Sequence, residues 1–305
     1  MDIVKFIDEQ PLILTEGAIS ERLRRLPGIA LHPVLFNAPI IYNQTGRALL
    51  ESIYLSYRQV AKKAGLPIIL CAPTWRVDGA RVEASNVVSS INRDAVAFML
   101  SLKQSHRHPD SEIIAGALLA PKNDCYTPSA ALNREQSAEF HQWQIHELCE
   151  AGVDLIISQT MPGVSESLGM ADRLGPTSTP YIISFVINRF GAVLDSTPLF
   201  DAIERIDQSV QTPPLGYMVN CVYPSFVKTD GVNERLLSRL IGIQANASSK
   251  DHDQLDGSEK LQRDPLNDWC RDMFELHRNS NVKILGGCCG TDDVYLEKLV
   301  DLIPR

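Results

Sequence analysis

Three cysteines carry the chemistry most directly readable in this chain. Near the C-terminus, Lys283-Ile284-Leu285-Gly286-Gly287-Cys288-Cys289-Gly290-Thr291 leaves an apolar run, turns on two glycines and presents two adjacent thiols, with a helical segment from Asp292. Upstream, Met218-Val219-Asn220-Cys221 also ends an apolar run in a cysteine. Small residues leave room beside the sulfurs, and a glycine-flanked turn can aim both thiols of the pair at one point. Three thiolates can hold one zinc ion and leave its fourth position open. A substrate thiol entering that position loses its proton at neutral pH. Three thiolates outweigh the dication, so the bound sulfur stays nucleophilic. That suits attack on a methyl group of a sulfonium or quaternary ammonium better than activation of water, for which His-rich sites are usual. Cys221, Cys288 and Cys289 are thus the candidate catalytic and metal-binding residues. A vicinal disulfide between Cys288 and Cys289 is the competing use, and its ring is strained.

Other chemistry-bearing residues read as structural. Cys71, Cys125, Cys149 and Cys270 are expected to be buried thiols, Cys149 within an Ile145/Leu148/Cys149 helix stripe. The seven histidines form no His-x-x-x-His or His-Glu-x-x-His pattern. His106 and His108 end a helix, where cations commonly sit, and His141 and His146 do not share a helix face well; surface roles are expected. Gly163-Val164-Ser165-Glu166-Ser167 lacks the strand-to-helix context of a hydrolase nucleophile, leaving Glu166 a capping or helix-dipole role.

The elements that must position the thiols alternate along the whole chain. Strands are predicted at 11–15, 68–71, 113–119, 153–158, 181–186, 215–219, 241–244 and 282–285. Helices are predicted after each, ending near Leu26, Ala64, Leu102, Ala151, Leu174, Val210, Leu240, Arg278 and Ile303. Gly65 then Pro67 reads as a helix stop. Residues 30–42, broken by Pro33 and Pro39, read as an irregular loop. The strands are short and apolar with little alternation, as for strands buried on both faces. Eight strand–helix units predict a single (β/α)8 TIM barrel over residues 1–305. An open doubly wound sheet is the runner-up, and no Gly-x-Gly-x-x-Gly follows the first strand to support its dinucleotide-binding form. In a barrel the three thiols meet at the C-terminal strand ends. The polar stretch 248–263 lies on that same face, as a solvated loop or a mobile lid.

The chain has 305 residues, 44% hydrophobic and 22% charged, with net charge −8. This is globular composition, without a basic stripe for nucleic acid or an apolar run of the roughly 18 residues that suggest a membrane span. The acidic, broken N-terminus does not read as a signal peptide. The odd count of seven cysteines argues against a disulfide scaffold, so a reducing cytoplasm is expected. Nothing in the sequence marks an oligomer interface.

The Gly-Gly-Cys-Cys-Gly-Thr motif with Val219-Asn220-Cys221 resembles the zinc-dependent homocysteine S-methyltransferases, including the S-methylmethionine– and betaine–homocysteine enzymes and the homocysteine module of methionine synthase. Ala151–Ile156, Ile183-Ser184-Phe185 and Asn246 look like further landmarks, so the resemblance covers nearly the whole chain. It implies the (β/α)8 barrel, zinc on Cys221, Cys288 and Cys289, and methyl transfer to the homocysteine thiol to give methionine. It also implies substrate-binding roles for Glu16, Thr74 and Gln159. Glu16-Gly17-Ala18 stands where the family usually has Asp-Gly-Gly, and Gln159-Thr160 where it usually has Glu-Thr. Gln159 can accept a hydrogen bond but brings no charge, which weakens the hold on an ammonium group. Glu16 alternatively reads as a first-turn helix acid, and Thr74 as a hydroxyl capping its own loop. No cobalamin or folate module is visible, so a small free donor is expected, S-methylmethionine foremost. The alternatives raised by Gln159 are another acceptor, such as a different thiol or a selenol, or a zinc-bearing binding or regulatory protein without turnover.

Overall fold

The computed structural model describes residues 2–255, 258 and 260–303. Eight parallel strands close into a barrel in chain order: β1 (Ile13–Thr15), β2 (Ile68–Ala72), β3 (Ile113–Leu119), β4 (Leu155–Met161), β5 (Tyr181–Phe185), β6 (Gly216–Val222), β7 (Leu240–Ala245) and β8 (Ile284–Gly287). The seam pairs Ile13 with Ile284 and Leu14 with Leu285. The helices are α1 (Ile3–Glu9), α2 (Ser20–Arg24), α3 (Gln44–Ala64), α4 (Gly79–Ser85), α5 (Ile91–Ser105), α6 (Arg134–Glu150), α7 (Val164–Leu174), α8 (Leu199–Ser209), α9 (Glu234–Leu237), α10 (His252–Leu255), α11 (Leu266–Ser280) and α12 (Asp293–Leu302).

The weak alternation of the strands has a direct cause. Ile13, Ile69, Cys71, Ile114, Leu155, Ile157, Ile182, Met218, Ile241 and Ile284 fill the barrel interior. Their neighbours Leu14, Ile68, Leu70, Ala115, Ile156 and Leu285 pack outward against the helices. Both faces are apolar, so period two disappears from the sequence while persisting in space. Ile3 and Ile7 of α1 join the interior cluster and stopper the N-terminal end of the barrel. This helix was not anticipated. Its start is set by Asp2, whose carboxylate accepts from the Lys5 N–H at 3.1 Å.

Two further short helices depart from expectation. α4 lies where no helix was predicted, capped by Asp78. α10 lies inside the polar stretch 248–263, of which residues 256, 257 and 259 lie outside the described residues. Within 30–42, His32 and Phe36 form a bridge and Ala38–Tyr42 a short 3-10 turn. α3 ends as its sequence indicates, with Gly65 at φ 65°, a left-handed cap that glycine adopts without strain. No helix among the described residues is long and apolar enough to cross a membrane.

Candidate active site at the barrel mouth

Cys221 is positioned by strain. In a regular strand Asn220 and Cys221 would face opposite sides of the sheet. Here β6 bulges between Asn220 and Val222, and Cys221 takes φ 54°. Both side chains then meet, with Asn220 Nδ2 at 3.4 Å from the Cys221 sulfur. β4 kinks in the same way, with Thr160 at φ 63° and a register shift between Ser158 and Met161. Asn220 ties the two irregular strands together. Its Oδ1 accepts from the Thr160 N–H at 2.9 Å and the Ser184 hydroxyl at 2.7 Å, and its Nδ2 donates to Thr160 Oγ1 at 2.7 Å. Left-handed non-glycine residues cost about 1–3 kcal/mol each and persist only where the surroundings overdetermine them. This buried amide is that surrounding.

Cys288 and Cys289 follow the end of β8 and are held by β7 and the residues after it. The Cys288 N–H donates to Ala245 O at 2.7 Å, and the Ala247 N–H to Cys289 O at 2.9 Å. The Asn246 side chain accepts from the Cys289 N–H at 3.1 Å, which gives that residue a physical role. The Thr291 hydroxyl closes the turn onto Cys288 O at 2.7 Å. Gly286 is required by proximity, because a Cβ there would meet the backbone oxygens of Thr15 and Glu16 at 2.8 and 2.9 Å.

The three sulfurs converge within 4.8 Å of one another. Cys221 and Cys288 are 2.8 Å apart, and no described cysteine is in a disulfide, so the vicinal bridge is not formed. Hydrogen bonds from Cys288 and then Cys289 pull the Cys221 thiol well below its ordinary value. The same contacts push Cys288 and Cys289 up. The set therefore carries one thiolate readily and shares its remaining protons around it. Cys289 is the exposed member, while Cys221 and Cys288 are half-buried. Three soft donors gathered without a disulfide match the ligand set of a soft metal with one open position.

The other sequence-predicted residues stand at the C-terminal ends of β1, β2 and β4. Glu16 follows β1 and is buried. Its carboxyl accepts from the Cys71 N–H at 3.1 Å, continuing the β1–β2 ladder with a side-chain oxygen. Burial raises its pKa to about 8. It is not the first-turn acid of α2; that residue is Glu21, which accepts from the Gly290 N–H. Gln159 donates to Gln244 Oε1 at 2.7 Å, and Gln244 donates to Thr15 Oγ1 at 3.3 Å, an uncharged chain across the mouth. The Thr74 hydroxyl both accepts from the Leu118 N–H and donates to Leu118 O, each at 2.9 Å. It joins β2 to β3 rather than capping its own loop alone.

Two residues were missed or misread in the sequence. Tyr126, in the loop after β3, stacks its ring on His252 of α10 with centroids 4.9 Å apart, and the neighbouring sulfurs, Cys221 first, push its phenol well above its ordinary value. Only the topology, which puts that loop on the same face, could have pointed to it. His141 is not a surface residue. It is fully buried and lies 3.1 Å from Glu166, itself fully buried; helix periodicity did not separate it from the exposed His146. Cys71, Cys125 and Cys270 are buried as expected, and Cys149 packs half-buried on the core.

A parallel eight-stranded barrel with three convergent thiols at its C-terminal mouth defines a class of barrels with a soft-donor site, and similarity to known proteins narrows it. The homocysteine S-methyltransferase family profile matches residues 13–303, and the chain belongs to this family. It is 24% identical over 319 residues to the homocysteine S-methyltransferase YbgG of Bacillus subtilis (strain 168), covering 97% of this chain and 96% of that protein. It is 23% identical over 233 residues, 71% of each chain, to the homocysteine S-methyltransferase of Escherichia coli (strain K12). The fold is also that of the metallated form of the homocysteine methyltransferase MmuM from Escherichia coli, with TM-score 0.75, 18% identity and 99% of each chain covered.

Proposed function

We propose that this chain moves a methyl group from a small sulfonium or ammonium donor, S-methylmethionine foremost, to the thiol of homocysteine, giving methionine. The observation that carries this is the convergence of Cys221, Cys288 and Cys289 within 4.8 Å at the barrel mouth. These three residues would hold zinc, which when bound supplies a Lewis acid that keeps a substrate thiol deprotonated at neutral pH. Their three negative charges keep electron density high on that sulfur. Its lone pair forms the new S–CH3 bond in line as the donor's bond to methyl breaks, and the bonding electrons leave with the donor's heteroatom, which departs uncharged. The barrel contributes orientation. Glu16, Thr74 and Gln159 flank the mouth as the residues proposed to contact the acceptor's polar end.

A second reading is favoured by one observation. Gln159 sits in an amide chain with Gln244, and Glu16 stays protonated below about pH 8. Near neutrality the mouth thus lacks the two charged carboxylates that would grip an ammonium group. A different thiol or selenol acceptor, or binding without turnover, follows from that.

The test is metal content with turnover. Protein purified under reducing conditions is analysed for zinc, and methionine formation from homocysteine is followed with S-methylmethionine, S-adenosylmethionine and betaine in turn. About one zinc per chain and activity with one donor supports the proposal. Zinc without turnover, with methionine formation appearing in Gln159→Glu, supports the second reading. Absence of zinc in reduced protein overturns both.

A further inference from the structure

Arg76 is a cation that the chemistry above leaves unused. It follows the C-terminal end of β2, on the face where the thiols converge. The side chain is half-buried, and its Nε is shielded from solvent with no hydrogen-bond partner. Among the described residues no carboxylate forms an ion pair with it. The two acids whose charge it feels, Asp124 and Asp78, are engaged elsewhere. Asp78 accepts from the Arg81 N–H at 3.0 Å and pairs with the Arg81 guanidinium. Asp124 accepts from the Tyr126 N–H at 3.1 Å and the Thr127 hydroxyl at 2.8 Å. Burial, and after it the Arg81 charge, push Arg76 down from the ordinary arginine pKa, though a guanidinium stays charged. An anion would relieve that cost.

Two rings hold the guanidinium in place. Its central carbon lies 4.9 Å from the Trp75 ring centroid and 5.5 Å from that of Phe36. The rings meet edge to face, with centroids 5.7 Å apart and planes at 85°. Trp75 Nε1 donates to Gln159 O at 3.4 Å, which ties the pair to the end of β4. Phe36 takes φ 52° and exchanges N–H···O bonds with His32 at 2.8 and 3.0 Å. A bulky residue keeps a left-handed conformation only where its surroundings overdetermine it, and here that conformation brings the ring to Trp75 and Arg76. Cation–π contact steadies the charge without using its N–H donors. A planar guanidinium with free donors matches a carboxylate in a two-point fork.

We propose that Arg76 is a specificity-determining residue of the mouth and binds the carboxylate of an amino-acid reactant. This rests on the reading of the chain as a methyltransferase acting on amino-acid substrates. Arg76 follows Thr74 closely, and Trp75 touches Gln159, so the carboxylate would sit beside the residues proposed to contact the acceptor's polar end. With Gln159 and Gln244 uncharged, recognition moves from the ammonium end of the substrate to its acid end.

The experiment uses the full zinc-loaded chain and two pairs of probes: homocysteine with its methyl ester, and S-methylmethionine with its methyl ester. Turnover and calorimetric binding are measured for the parent, Arg76→Gln and Arg76→Lys. The parent should prefer an acid to its ester. Arg76→Gln should raise KM for that acid roughly 10–100-fold, the worth of a hydrogen bond to a charged group, and not for its ester. Arg76→Lys should restore part of the preference by returning the charge. Collapse of the homocysteine pair assigns the acceptor's carboxylate, and collapse of the S-methylmethionine pair the donor's. Equal losses toward acid and ester, as a purely structural role would give, overturn the proposal. So does a parent that does not distinguish acids from esters, whether or not either variant folds. An acid preference in binding without any turnover overturns the transferase reading and leaves the role of Arg76 supported.

Discussion

Glu16 shows how far a residue's chemistry depends on where the chain puts it. In solution its carboxyl is ionised at neutral pH, but here burial holds the proton until about pH 8, against an ordinary value of 4.5. The native state therefore binds more protons than the unfolded chain between those values. Stability from this group is complete below 4.5 and is lost as pH rises through about 8. Glu16→Gln keeps an acceptor for the Cys71 N–H and removes the titration. Melting curves across that window should show the variant gaining on the parent by on the order of a few kcal/mol as pH rises, then running parallel above it. Parallel curves throughout would mean that the carboxylate is solvated in the native state. At Cys289 the expected loss is functional: Cys289→Ala removes one of three soft donors, and zinc analysis and methionine formation should both fall to background.

Among the elements, the turn after β8 is the most tightly specified. Gly286 lies against the Thr15 and Glu16 backbone, while a Cβ at Gly287 would press on the Thr291 side chain that closes the turn onto Cys288. The two substitutions should therefore separate. Gly286→Ala forces β8 away from β1 and should lower the urea midpoint by the equivalent of about 1–3 kcal/mol, the usual cost of overpacking. Gly287→Ala displaces a side chain rather than backbone, and should show most of its effect in weaker metal retention. Equal stability losses with equal metal retention would show that the turn relaxes as a whole. The glycine pair was legible in the sequence as a turn. Its steric reason was not, because the neighbour is β1, at the other end of the chain.

Across the whole molecule, stability and chemistry sit at opposite ends of the barrel. α1 seals the N-terminal end with Ile3 and Ile7, and the thiols occupy the C-terminal mouth, as barrel architecture favours. Ile7 is 1% exposed, so Ile7→Ala should cost about 2–5 kcal/mol. Folded Ile7→Ala protein should still hold the parent's amount of zinc, as denaturant titration alongside metal analysis would establish. A variant that lost metal in proportion to stability would show that the two ends are coupled.

The sequence alone determined the number and order of the strands, because each short apolar run is punctuated by glycine, proline or a helical repeat. It also determined the identity of the three thiols, because cysteine flanked by glycine is chemically distinctive wherever it stands. Only the tertiary structure decided how those thiols are aimed. That depends on a left-handed Cys221 buttressed by Asn220, and local propensity disfavours such a conformation. Tertiary structure likewise stacked Tyr126 on His252 and turned Glu166 and His141 inward. Those contacts join segments whose separate patterns look like an ordinary loop and an ordinary helix surface.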